Sequence, residues 1–220
     1  MTTIYPQSVQ CALCKSHNDV VSVASTNAFG SMDLDLRPPP MERDILHTYV
    51  QRCSHCGYCS NDIASVGGLA VDRVGSVDYI ALLSDESFPE LAQSFRAHAY
   101  LAEAGGELRS SLAAQLHAAW ACDDAKDFPG AAESCRQETL RLLDLLQDQG
   151  EVFCGDKATD AMLQLDLLRR SGQFAAASAL TTTLQAENLP GILAQIASFQ
   201  DARAKANDRA CYTVEAATSH

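Results

Sequence analysis

The sequence predicts a mainly α-helical protein with a small β ribbon at its N-terminus, followed by an array of helical hairpins. Three observations carry that reading. Two cysteine pairs of identical spacing, Cys11-Ala-Leu-Cys14 and Cys53-Ser-His-Cys56, stand near the start of the 220-residue chain. From about residue 70 onward, apolar residues recur at i, i+3 and i+4, the spacing that lines one face of a helix. A short Phe-Pro motif returns forty residues after its first appearance, within the range of helical-hairpin repeats.

Each cysteine pair is a C-x-x-C knuckle. Two pairs supply four thiolates, which saturate a tetrahedral Zn²⁺ and leave no position open for substrate or water. One structural zinc on Cys11, Cys14, Cys53 and Cys56 is therefore expected, with no catalytic residue assigned. A thioredoxin-type dithiol needs a single pair at a helix N-terminus, whereas these pairs lie beside strand-like runs. Residues 20–25 follow the first knuckle and residues 48–52 lead into the second. Both runs are rich in β-branched or aromatic residues, and they are expected to pair as the arms of the ribbon. Cys59, His17, His47 and His55 are further candidate ligands, ranked below the four cysteines because they break the paired spacing.

The knuckles are separated by 38 residues, against about 15–20 in a typical ribbon. This spacer contains Pro38-Pro39-Pro40, which excludes regular helix and stiffens the segment. Long irregular segments are often functional, so Asn27, Phe29, Asp33, Asp35 and Arg37 are candidates for a binding surface. Asp33, Asp35, Glu42 and Asp44 cluster here. Paired carboxylates can hold a hard cation or exchange protons. With no base or Gly-rich cradle beside them, they read as solvated loop acids or partners of Arg37 and Arg43. Val66-Gly67-Gly68-Leu69 reads as the joint to the helices. The boundaries expected are 1–66 for the ribbon domain, 67–209 for the helical domain and 210–220 for a frayed tail.

In the helical region, Leu140, Leu143 and Leu146 mark one face, and Arg141, Asp144 and Gln147 another. Met162, Leu163, Leu165, Leu167 and Leu168 form a wide apolar face. Breaks are expected at Gly105-Gly106, Phe128-Pro129-Gly130, Gly150, Gly155, Gly172 and Leu189-Pro190-Gly191. The repeat aligns Ser87-Phe88-Pro89 and the following Ala92, Ser94 and Arg96 with Asp127-Phe128-Pro129 and Ala132, Ser134 and Arg136. A weaker third copy begins at Gly172-Gln173-Phe174. There the first helix of a tetratricopeptide-like hairpin would end at a Gly, with Phe174 anchoring the second. His117 and Trp120, with Asp124, share one helix face and are candidates for the concave surface of the array. The competing reading is a core Trp beside a hydrogen-bonded His. Cys122, Cys135, Cys154 and Cys211 are scattered and read mostly as buried small apolar groups.

Composition narrows the function classes. The apolar fraction, 47%, is ordinary for a folded soluble protein, and no apolar run is long enough to span a membrane. The N-terminus lacks the basic and apolar regions of a signal peptide, and a cytoplasmic protein is expected. Nine cysteines there read as metal ligands and buried thiols, and their odd number argues against a complete disulfide framework. The formal charge is -12, divided as -3 up to residue 80 and -9 beyond it. Nucleic-acid binding needs clustered Lys and Arg to displace counterions, and no such cluster exists.

Taken together, several stretches resemble a bacterial family of unknown function, the DUF2225 type. They are the first knuckle, Ser25-Thr26-Asn27-Ala28-Phe29-Gly30-Ser31 with Asp33-Leu34-Asp35 and Arg37-Pro38, the second knuckle with Gly57-Tyr58, and Leu116-His117-Ala118-Ala119-Trp120. The resemblance spans roughly residues 10–185. It implies a zinc-binding N-terminus followed by tetratricopeptide-like helices, and it implies no catalytic residues. One departure is Lys15, which stands where a knuckle usually places Gly; Gly57 keeps that position in the second.

The functional expectation is an interaction protein, its ribbon fixed by structural zinc and its helical array binding a protein or peptide, with neither nucleic acid nor membrane as partner. Two other readings are carried. One is a thiol sensor that releases zinc on oxidation, motivated by Cys59. The other is an enzyme between ribbon and helices, using His117 or the Asp33/Asp35 pair.

Overall fold

A computed structural model describes residues 2–187 and 189–219. It divides into two compact units. The first is Met1–Ala28 with Pro40–Cys135, and the second is Phe29–Pro39 with Arg136–His220.

In the first unit, β1 (Thr3–Gln10) and β2 (His17–Ser25) form an antiparallel hairpin with the first knuckle at its tip, Gln10 opposite His17. A 3₁₀ turn over Arg43–Thr48 buries Ile45 and Leu46. The short strands β3 (Gln51–Arg52) and β4 (Cys59–Ser60) then flank the second knuckle, Arg52 opposite Cys59. The expected pairing is thereby corrected. Residues 20–25 pair with β1, and residues 48–50 are not strand. Each knuckle reverses the chain within a few residues, so the segments on its two sides face each other. The Thr48 hydroxyl ends the 3₁₀ turn by donating to the Ile45 carbonyl at 2.8 Å.

Three helices follow: α1 (Val77–Leu83), α2 (Glu90–Ala104) and α3 (Leu108–Asp124). Ser76 caps α1 by accepting from the Tyr79 N–H at 3.3 Å. α2 and α3 pack on each other across the Gly105-Gly106 break. Their buried faces are rich in alanine, with Ala92, Ala99 and Ala102 on α2 and Ala114, Ala118 and Ala119 on α3. Small side chains let helix backbones approach closely. Phe95, Leu101, Leu112 and Leu116 supply the larger buried side chains.

The division between units falls within α4 (Ala131–Asp148). The second unit continues with α5 (Lys157–Arg170), α6 (Phe174–Ala186), α7 (Gly191–Lys205) and the short α8 (Val214–Thr218). α5, α6 and α7 pack mutually around Met162, Leu165, Ala177, Leu184, Ile196 and Phe199. Helix ends fall at the breaks read from the sequence: α2 stops before Gly105, α5 before Gly172, and α7 starts after Pro190. The repeated motif marks the starts of α2, α4 and α6, with Pro89 as the cap of α2 and Phe174 as the first residue of α6.

Residues 29–39 are part of this second unit. Leu34 joins the core, the Leu34 N–H donates to the Tyr212 carbonyl at 2.9 Å, and the Val214 N–H donates to the Met32 carbonyl at 2.9 Å. The segment read from the sequence as a frayed tail carries α8, whose cap Thr213 accepts from the Ala216 N–H at 3.1 Å.

Candidate metal centre

The two knuckles have one backbone. The Cys11 N–H donates to the Ser16 carbonyl at 2.9 Å, and the Cys53 N–H to the Tyr58 carbonyl at 2.8 Å. The Lys15 N–H returns to the Cys11 carbonyl at 3.0 Å, and the Gly57 N–H to the Cys53 carbonyl at 2.9 Å. This turn requires a left-handed residue four places after the first cysteine. Lys15 takes φ 62° and Gly57 φ 75°. The Lys15 conformation costs about 1–2 kcal/mol. Two bonds hold it: Lys15 Nζ donates to the Ala12 carbonyl at 2.8 Å, and Gln10 Nε2 donates to the Lys15 carbonyl at 3.0 Å.

The turns aim four sulfurs at one point. Cys11 Sγ lies 3.7 Å from Cys56 Sγ, and Cys14 Sγ 3.6 Å from Cys53 Sγ. All four lie within 4.8 Å of one another. A tetrahedral zinc with Zn–S bonds of about 2.3 Å needs sulfur separations of about 3.8 Å. The donor set and its spacing thus fit one metal ion of zinc's size and preference for sulfur. Four protein ligands on one tetrahedral ion would leave no position open for water or substrate.

Polar neighbours tune the sulfurs. The Ser16 hydroxyl lies 2.9 Å from Cys14 Sγ and 3.5 Å from Cys53 Sγ. Buried Asn18 donates from Nδ2 to Cys53 Sγ at 3.5 Å, and its Oδ1 accepts from the Ser54 N–H and hydroxyl, both at 2.9 Å. Burial pushes the Cys53 thiol up, but the Cys56 N–H, the Ser16 hydroxyl and the His55 N–H outweigh it and bring Cys53 down to about 5. The Ser16 hydroxyl and N–H lower Cys14. Burial raises Cys11 and Cys56, so binding a cation there means displacing protons. Ser16 and Asn18 were not read from the sequence. Their signal was position alone, two and four residues past Cys14.

The other candidate ligands lie outside the four-sulfur cluster. Cys59 is fully buried, its Sγ donates to the Gly57 carbonyl at 3.3 Å, and burial raises its thiol to about 11. Its N–H donates to the Tyr79 hydroxyl at 2.9 Å, which itself donates to the Gly57 carbonyl at 2.8 Å. Tyr79 thus ties the C-terminal side of the second knuckle to α1. His17, His47 and His55 are exposed.

Of the candidate surface residues, Asn27 and Phe29 are exposed, Phe29 by 62%. Asp33, Asp35 and Arg37 are buried, which corrects their reading as a binding surface and, of the two readings of the acids, the solvated one. Asp35 is the counter-ion of two arginines, accepting from Arg170 Nη1 at 2.5 Å with Arg136 Nη2 at 3.8 Å. The Arg37 N–H approaches its other oxygen at 3.4 Å. Carboxylates held this way are not available as a surface. Trp120 is a core residue. The half-buried His117 ring stands 4.8 Å from Trp120, 5.2 Å from Tyr49 and 5.3 Å from Phe95. Burial, then the nearby His98, lowers His117 to about 4.

Comparison with protein-family models, with curated proteins and with solved structures gives no match. Among the described residues, no helix is long and apolar enough to cross a membrane.

Proposed function

We propose that the protein is a cytoplasmic interaction module stapled by one structural zinc, its helices stacked as tetratricopeptide-like hairpins that bind a protein or peptide partner. The observation that carries this reading is the closed four-sulfur cluster, built by two knuckles of the same backbone geometry. A strand pair whose first strand is exposed almost throughout, with no large core of its own, needs such a clamp. Motif recurrence at the starts of α2, α4 and α6 supports the hairpin reading, and the resemblance to the DUF2225 type agrees with it. The acidic helical half favours a basic partner, held more weakly as salt rises. The thiol-sensor reading rested on Cys59 beside the cluster, and that residue is buried against Gly57 and Tyr79.

The test is metal content of the purified protein by mass spectrometry, paired with thiol titration before and after denaturation. One zinc per chain with four thiols protected until denaturation is expected. Absence of metal, or a redox-active metal in stoichiometric amount, would overturn the structural-zinc reading. Retention on immobilised basic peptides that falls with added salt is the expected partner behaviour, and salt-independent retention or none counts against it.

A further inference from the structure

A second site stands within the first unit. A cleft of about 370 Å³ opens between residues 60–69, the middle of α2 and the start of α3, lined by Ser60, Asp62, Gly67, Gly68, His98 and Ser110 among others. Its size suits a small organic ligand. The walls are braced. The Ala70 N–H donates to the Leu101 carbonyl at 3.0 Å, and a Cβ on Gly105 would overlap the Gly68 carbonyl oxygen. Only glycine at 105 lets the strap lie this close to the end of α2.

Inside the cleft, His98 Nε2 lies 3.3 Å from Ser110 Oγ. His98 is 6% exposed, and its Nδ1 has no hydrogen-bond partner among the described residues. A buried ring nitrogen left so costs about 1–3 kcal/mol, which a packing role alone does not explain. Burial lowers the His98 pKa. The imidazole is therefore neutral near pH 7, the form a general base needs. The neutral ring carries one proton, and with that proton on Nδ1, Nε2 is the acceptor for the Ser110 hydroxyl.

Ser110 is the third residue of α3. The helix ladder begins at the Ser111 N–H, which donates to the Glu107 carbonyl at 3.0 Å. The Ser110 N–H thus precedes the first intrahelical bond and sits in the positive field of a 17-residue helix. A free N–H beside a serine oxygen is the donor that a tetrahedral oxyanion requires. Asp62 and Glu107 also line the cleft, so anionic acyl groups are repelled from it.

We propose that Ser110 is an acyl-accepting nucleophile with His98 as its general base, in a cleft that takes small neutral or cationic esters. The Ser110 Oγ proton passes to His98 Nε2 as the Oγ–C bond forms and the carbonyl π pair moves to oxygen. Collapse breaks the ester C–O bond, and the leaving alcohol takes the proton from His98. Water then attacks the acyl-serine by the same proton route, releasing a carboxylic acid and restoring Ser110.

The test uses the full-length, metal-replete protein with an alkyl fluorophosphonate, followed by intact mass and peptide mapping, and p-nitrophenyl acetate as substrate. One adduct on Ser110 is expected, with fluoride released, and Ser110→Ala should abolish it. His98→Gln should slow labelling by about 100-fold or more while thermal melting shows the variant folded. The wild-type rate should rise with pH through a single ionisation below the ordinary histidine value of about 6.5, and a succinate monoester should be turned over far more slowly than the acetate. No adduct on Ser110, or equal labelling of folded His98→Gln and wild type, overturns the proposal. If His98→Gln does not fold, a flat wild-type pH profile overturns it instead.

Discussion

Lys15 and Gly57 hold the same left-handed backbone, φ 62° and 75°, at the same place in two knuckles whose N–H groups return to Cys11 and Cys53 respectively. The two positions differ in what they tolerate. Lys15→Gly removes the conformational cost of an L side chain and loses only an exposed contact to the Ala12 carbonyl. It should stabilise the protein by about 1 kcal/mol, read as a rise in melting temperature of the metal-loaded form. Gly57→Ala should destabilise it by about 1–2 kcal/mol, because the new Cβ is strained and lies 3.1 Å from Leu83 Cδ1. Equal effects of both substitutions would show that the turn is not shared.

Asn18 links the knuckles without being a ligand. Its amide donates to Cys53 Sγ at 3.5 Å and accepts from Ser54. Outer partners of metal ligands typically contribute 10–100-fold in affinity. Asn18→Ala should therefore release zinc to a colorimetric chelator at about 10–100-fold lower chelator concentration, with zinc stoichiometry still one when metal is in excess. Cys53→Ser, by contrast, should abolish tight binding. An unchanged chelator profile for Asn18→Ala would remove Asn18 from the account.

Features written in local chemistry were legible in the sequence. The clustering of Cys11, Cys14, Cys53 and Cys56 follows from the repeated C-x-x-C spacing, and the ends of α2, α5 and α7 follow from glycine or proline beside them. β1 was not legible, because the burial pattern of Thr3–Gln10 is almost uniformly exposed. A strand with no buried face has no alternation to read, and Pro6 and the glutamines lower its propensity further. The burial of residues 33–37 was hidden for another reason. Asp35 meets Arg170 across 135 residues, and nothing near Asp35 announces that partner. Ser16 and Asn18 lie between these cases, visible only once the knuckle turn is built and the direction of the following residues is known.

Asp35 carries the charge balance of the buried arginines Arg136 and Arg170 in the second unit. Removing one member of a buried ion pair leaves an uncompensated charge and costs about 3–5 kcal/mol. Asp35→Asn should lose that much in urea-induced unfolding while zinc content stays unchanged, since the four cysteines belong to the first unit. A loss under about 1 kcal/mol would place Asp35 among solvated acids after all.

His117 makes acid stability a test of the aromatic cluster. Its ring is packed by Tyr49, Phe95 and Trp120, and burial with the nearby His98 lowers its pKa to about 4 from an ordinary 6.5. The folded state thus disfavours the charged ring relative to the unfolded chain. The contribution of His117 to stability is complete above about pH 6.5 and is lost as pH falls through about 4, because the unfolded chain takes up a proton that the folded one refuses. The shift corresponds to about 3 kcal/mol. His117→Phe keeps a ring in the cluster and removes the titration, so its unfolding free energy should fall by about 3 kcal/mol less than that of wild type between pH 6.5 and 4. His98 and the cysteines titrate in both proteins and cancel in the difference. Parallel pH curves for the two proteins would mean that His117 is solvated when charged, and that the cluster does not exclude water from it.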